Sequence, residues 1–163
     1  MGRTRLGTPI NKETTLKSLI TLAFIATSCV RTAMADRIRL ANDATVAASV
    51  DRLTQAVEAA GARVFTTVDF ARGSAFVGES LRPTTVVIFG SPKIGAKALQ
   101  HGQTMALNLP LRILFYEDVN GQTWAACDES TALAPSHGLA ADHPAVLAMR
   151  GALERFCVAG TGD

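Results

Sequence analysis

An α+β fold is predicted, a two-layer sandwich with helices packed on one face of a small mixed β-sheet. Three observations predict it. Apolar residues recur at helical spacing in two separate stretches, Val46, Val50, Leu53, Val57 and Val146, Met149, Leu153, Phe156. Between them lie runs rich in β-branched and aromatic residues, at Val64–Val68, Thr84–Phe89, Leu111–Glu117 and Gln122–Asp128. The last two runs flank Asp118-Val119-Asn120-Gly121, whose Asn-Gly pair favours a type I′ hairpin turn.

In chain order, Arg37 to Leu40 reads as a short first strand. Asn42-Asp43 offers side-chain oxygens to the free amides of a first helical turn, so the first helix is expected to be capped there. Its polar face carries Asp51, Arg52, Gln55 and Glu58, and Gly61 ends it. The strand at Val64–Val68 is followed by a short irregular helix from Asp69 to Val77, closing at Gly78. Thr84 to Phe89 has no polar alternation, which predicts a central strand covered on both faces. Ser91 then stands as an N-cap and Pro92 as a first helical residue, whose missing N–H is no loss there. Ile94, Ala98 and Leu99 form that helix's apolar face, and Gly102 stops it. Pro144 starts the last helix, which runs to about Gly160.

The first 35 residues predict the compartment. Arg3, Arg5, Lys12 and Lys17 precede an apolar run from Leu19 to Val30, and Ala33-Met34-Ala35 supplies a small-x-small site. That order is the pattern of a secretory signal peptide, with cleavage expected after Ala35 and a periplasmic or secreted protein as the result. The alternative readings are a buried helix of the folded domain and a lipidated Cys29. The apolar run is shorter than the about 20 residues a membrane span requires, and no later stretch is long and apolar enough. Residues 36–163 are expected to form one domain. The whole chain has 16 basic and 14 acidic residues. The leader holds five of the basic residues and one of the acidic, so the remainder carries a net charge of −2. No clustered basic surface is left for nucleic acid.

The Gly90–Lys93 turn is the leading ligand candidate. A strand enters a helix N-terminus there, and free amides and the helix dipole favour an anion. Lys93 and Arg82 add positive charge beside Gly90 and Ser91, although the same residues also make an ordinary strand-to-helix turn. Asp69, with Arg72 near it, is a candidate acid or base, or the N-cap of the short helix after it. His101, His137 and His143 are the histidines; His137 and His143 flank a loop with Asp142, at a separation unlike known metal-ligand spacings. Asp118, Asn120, Gln122 and Glu129 mimic a calcium-loop spacing, but Thr123 replaces the glycine that loop needs, and no metal site is assigned. Beyond the leader the cysteines are Cys127 and Cys157, which either pair across the fold or stay as two buried thiols. Trp124 reads as a core or subunit contact. A Gly-x-Ser-x-Gly elbow and a His-Glu-x-x-His motif are both absent from the sequence.

An ordered set of short runs spans Val64 to Leu139. Val68-Asp69 is followed by the small residues of Ala71–Ala75, Gly78, and Leu81-Arg82-Pro83-Thr84. Then come Ile88-Phe89-Gly90-Ser91-Pro92-Lys93, Ala106-Leu107-Asn108-Leu109-Pro110-Leu111, Tyr116-Glu117-Asp118 and Asn120-Gly121-Gln122-Thr123-Trp124. Together these resemble the domain of unknown function numbered 302 (DUF 302). The resemblance implies an α+β domain that forms homodimers, and it supplies no accepted catalytic residues. Phe70 stands where members with this Leu-Arg-Pro-Thr form often have His, and Ala126-Cys127 where they often have Tyr-Asn.

The functional expectation is an exported, non-catalytic domain of the bacterial cell envelope that binds a small molecule, anionic in the leading version, or a protein partner. No cofactor is implied. The alternative is an enzyme with Asp69 as acid or base and Lys93 or Arg82 holding an anionic substrate. Periplasmic metal handling through His137 and His143 is the weaker alternative.

Overall fold

The computed structural model describes residues 37–162, and the leader with its cleavage site lies outside them. The chain runs β1 (Arg37–Asn42), α1 (Val46–Ala59), β2 (Arg63–Asp69), α2 (Phe70–Ala75), β3 (Thr84–Gly90) and α3 (Pro92–Leu99). A 3-10 turn at Gln103–Leu107 leads to β4 (Leu111–Glu117) and β5 (Thr123–Asp128). The short α4 (Ser130–Leu133) and a second 3-10 turn then precede α5 (Pro144–Thr161).

The five strands form one sheet in the order β1-β5-β4-β3-β2, and helices cover one of its faces. That is the predicted α+β sandwich, but the sheet is antiparallel throughout rather than mixed. The β4–β5 connection is too short for a crossover, and the longer β3–β4 connection, through α3 and the 3-10 turn, also returns the chain to the end of the sheet at which it left.

On the covered face, Val87, Phe89, Ile113, Phe115, Ala125 and Cys127 meet Leu53 and Val57 of α1 and Leu153, Phe156 and Cys157 of α5. A second cluster, with Ala98, Met105, Leu139, Val146 and Met149, joins α3 to the first half of α5. Both predicted helical faces are borne out, with Val46, Leu53 and Val57 buried on α1 and Val146, Met149, Leu153 and Phe156 on α5.

Three local expectations change. The cap of α1 is Thr45, whose hydroxyl accepts from Ala48 N at 3.3 Å. Asn42 instead ends β1, where its amide donates to Ser49 and its carbonyl oxygen accepts from Ala44 N. β3 is an inner strand as expected but is not covered twice. It lies between β2 and β4, its alternate residues are buried, and Val86 and Ile88 on the open face remain half-exposed. The β4–β5 turn is not type I′, because that turn needs positive φ at both central residues and only Gly121, at φ 79°, has it.

Asp118 governs that turn. Its carboxylate accepts from Asn120 N at 2.8 Å, Gln122 N at 3.1 Å and the Trp124 indole at 2.8 Å. The indole bond, followed by the backbone bonds, holds the Asp118 carboxyl below the usual carboxylate range. Trp124 lies half-buried on the open face with the Arg39 guanidinium 3.6 Å from its ring.

Candidate functional site

The five residues singled out from sequence do not converge. Asp69 faces Thr85 across the β2–β3 ladder, whereas Arg63, at the other end of β2, faces Gly90. Asp69 and Gly90 therefore lie at opposite ends of β3, about 17 Å apart along the strand. Asp69 is exposed and caps α2, its Oδ1 accepting from Arg72 N at 2.9 Å. Arg82, at the same end, is exposed and donates to the Glu117 carbonyl at 3.1 Å. An acid or base at Asp69 and an anion holder at Lys93 cannot serve one small substrate across that length.

Gly90, Ser91 and Pro92 do border a site. They line a chamber of about 500 Å³, open on one side, where the two core clusters meet. Its walls are Phe89 at the end of β3, Ile94 and Leu99 of α3, Leu109 from the approach to β4, and Met149 and Phe156 of α5. The volume falls in the range of about 300–1,000 Å³ that small-molecule sites occupy. Phe89 and Phe156 meet edge to face at 5.2 Å and stiffen the floor.

The space exists because small residues stand where large ones would fill it. Ala62, Gly95, Ala96, Ala106 and Ala152 all border it. A Cβ added at Gly95 would touch Leu109 alone, at 3.9 Å. The lining includes no Asp or Glu, and its charged member is Arg155. Lys93 is exposed and lies outside the lining. Ser91 holds the cap position of α3, but its hydroxyl makes no capping bond.

The Gly90–Pro92 turn was singled out from sequence as an anion site, whereas here it borders an apolar chamber whose other walls were not singled out. Arg155 sits in an ordinary polar position of α5, and Ala62, Gly95 and Ala106 carry no local mark of facing the same space.

The histidines pair differently from the sequence expectation. His137 is half-buried, with Nε2 against Asn108 Oδ1 at 2.6 Å and Nδ1 against the Thr104 hydroxyl at 3.1 Å. His143 caps α5, its Nδ1 accepting from Ala145 N at 3.2 Å. Its ring neighbour is His101, with centroids 4.6 Å apart. Cys127 and Cys157 do meet, as buried thiols with their sulfurs 3.3 Å apart.

Known proteins match in three ways. Residues 38–156, most of the chain, match the family model described as "Domain of unknown function DUF302". "Fluoride-specific ion channel FluC 1" of Brucella suis biovar 1 (strain 1330) is 36% identical over 94 residues, which are 58% of this chain and 37% of that protein. The protein of the same name from Brucella abortus biovar 1 (strain 9-941) is also 36% identical over 94 residues, 35% of its length. The chain thus matches only about a third of the length of these curated relatives. The crystal structure of an uncharacterized conserved DUF302 protein from Bacillus stearothermophilus superposes with a TM-score of 0.63 at 17% identity. It covers 77% of this chain and 94% of its own, and supports the fold. The extent of the family match and the shared fold together place this chain in the DUF302 family.

Proposed function

We propose that this protein is an exported, non-catalytic binding domain of the cell envelope, and that its ligand is a small, largely apolar molecule held in the chamber between α3 and α5. The observation that carries the reading is the chamber itself, with about 500 Å³ of space walled by apolar side chains and opening at the Gly90–Pro92 turn. A folded core of this size ordinarily closes such a space. The leader pattern supports export. The domain acts as a homodimer, which fits a sheet face left uncovered at Val68, Val86, Ile88 and Leu114. A native mass equal to one chain removes the dimer.

The test of the chamber is Gly95→Phe with the neutral fluorophore N-phenylnaphthylamine. Gly95 faces open space on a helix, where a larger residue also gains helix propensity over glycine. The variant is expected to keep its thermal stability and lose saturable probe binding by at least tenfold. Unchanged binding in the variant, or none in the parent protein, sinks the chamber as a ligand site.

The relatives favour a second reading. Two of them are named as fluoride-specific ion channels, and the matched segment is about a third of each. None of the helices among the described residues is long and apolar enough to cross a membrane. The part proposed is therefore an accessory domain acting beside a fluoride channel, not the pore. Deleting the protein is then expected to raise sensitivity to fluoride in growth assays. Equal inhibition of the deletion and parent strains removes this reading.

A further inference from the structure

We propose that the chamber takes a single-chain fatty acid, with the tail among Leu99, Leu109, Met149 and Phe156 and the carboxylate at the rim against Arg155, assisted by Arg63. This rests on the chamber being a ligand site and adds the class of ligand.

The argument is charge complementarity around an apolar space. Arg155 stands over the ring of Phe156 at 4.6 Å, and Arg63 over the ring of Phe65 at 5.9 Å. Both rings line the chamber. Neither guanidinium takes part in an ion pair among the described residues, whereas Arg37, Arg39 and Arg150 each do. The lining holds no carboxylate that would answer these cations. A guanidinium stacked on an aromatic face keeps its edge free, and that edge presents the paired N–H groups that match a carboxylate. The walls offer an amphiphile's tail almost nothing polar.

Size restricts the class further. At about 500 Å³ the chamber sits in the lower half of the small-molecule range, suited to one acyl chain rather than the two of a phospholipid. Arg63 lies outside the lining, but it is the cross-strand partner of Gly90 and stands over Phe65, both of which line the chamber. Arg155 reaches the rim because α5 places it next to Phe156, whose ring forms the floor. The head group thus meets two elements far apart in the chain.

The experiment compares dodecanoate with dodecanol, both displacing N-phenylnaphthylamine from the full domain and from Arg155→Ala, Arg155→Lys and Arg63→Ala. Both arginines are exposed, so the variants are expected to fold, which circular dichroism checks. Dodecanoate should bind at least tenfold more tightly than dodecanol, and more weakly as salt rises. Arg155→Ala should remove that preference without altering dodecanol binding, Arg155→Lys should restore part of it, and Arg63→Ala should reduce it. Shortening the acid by two carbons should weaken it about tenfold. Equal binding of acid and alcohol, or an acid preference untouched by both alanine variants, overturns the fatty-acid assignment and leaves the apolar chamber standing. Failure of the fluorophore to bind overturns both.

Discussion

Phe115→Ala is expected to destabilise the domain by about 3–5 kcal/mol, and Gly160→Ala to destabilise it as well, although alanine is the better helix former. Phe115 is fully buried on the middle strand of the sheet. Its ring lies against α5 where that helix has no side chain. A Cβ placed at Gly160 would stand 2.5 Å from Phe115 Cζ and 2.9 Å from Cε1, with Leu53 Cβ at 3.7 Å on the other side. Gly160 is therefore the residue that lets α5 approach the sheet. Alanine returns up to about 1 kcal/mol of helix propensity, but overpacking a closed core costs about 1–3 kcal/mol. The clash wins because the ring is enclosed by α1, α5 and its neighbouring strands and cannot swing away.

A double variant isolates the cause. Leucine at 115 lacks both ring atoms that the new Cβ meets, so Gly160→Ala should cost less in the Phe115→Leu background, by about 0.5–3 kcal/mol of coupling. Urea unfolding followed by the single tryptophan, Trp124, reads all four proteins. Strict additivity would show that the glycine is there for another reason.

Oxidation of Cys127 and Cys157 is the second large effect, and it tests the compartment. The two thiols are buried and their sulfurs are 3.3 Å apart, one on β5 and one on α5. In an oxidising compartment they are expected to join, giving up two protons and two electrons to the local oxidant. The bond would close a loop of about 30 residues, which the chain-entropy model values at about 3.5 kcal/mol. Protein recovered from the periplasm should therefore be two hydrogen masses lighter than the reduced chain and begin at Asp36. A full-length chain with both thiols reduced contradicts export.

The same pair predicts a pH signature. The hydrogen bond with Cys127, and then burial, push the Cys157 thiol well above its ordinary value of 9.0. The folded thiol keeps its proton where the unfolded one releases it. The reduced domain thus has its full stability below about pH 9 and loses it as pH rises further, whereas the oxidised domain has no thiol to titrate. Matching alkaline unfolding curves for the two forms would rule this out. A buried thiol held protonated is also a poor nucleophile, so alkylating reagents should label Cys157 only when the domain opens.

How much of this was legible in advance follows from the range of each interaction. The faces of α1 and α5 were readable because apolar side chains three and four apart share a helix face regardless of what covers them. Ser91 and Pro92 at the start of α3 were readable because turn and cap preferences act over a few residues. The cap of α1 was misplaced by a few residues because Asn42, a good cap by type, was drawn into β1 by its pairing with Thr123. The hairpin was located correctly but its turn was not, since the Asp118 carboxylate organises the loop through Asn120, Gln122 and a tryptophan beyond it.

The candidate site was legible only at its rim. Local pattern pointed to Gly90 and Ser91, but it also joined them to Asp69 and Arg82, which the length of β3 keeps apart. By itself the sequence determined the order of the five strands and of every helix but the short α4, because these depend on neighbours a few residues away. Tertiary structure alone decided that the sheet is antiparallel, that Cys127 meets Cys157, and that Arg155 borders the same apolar chamber as Gly90, the cross-strand partner of Arg63. Those outcomes depend on which distant surfaces the connections bring together, and no local stretch of sequence contains both partners.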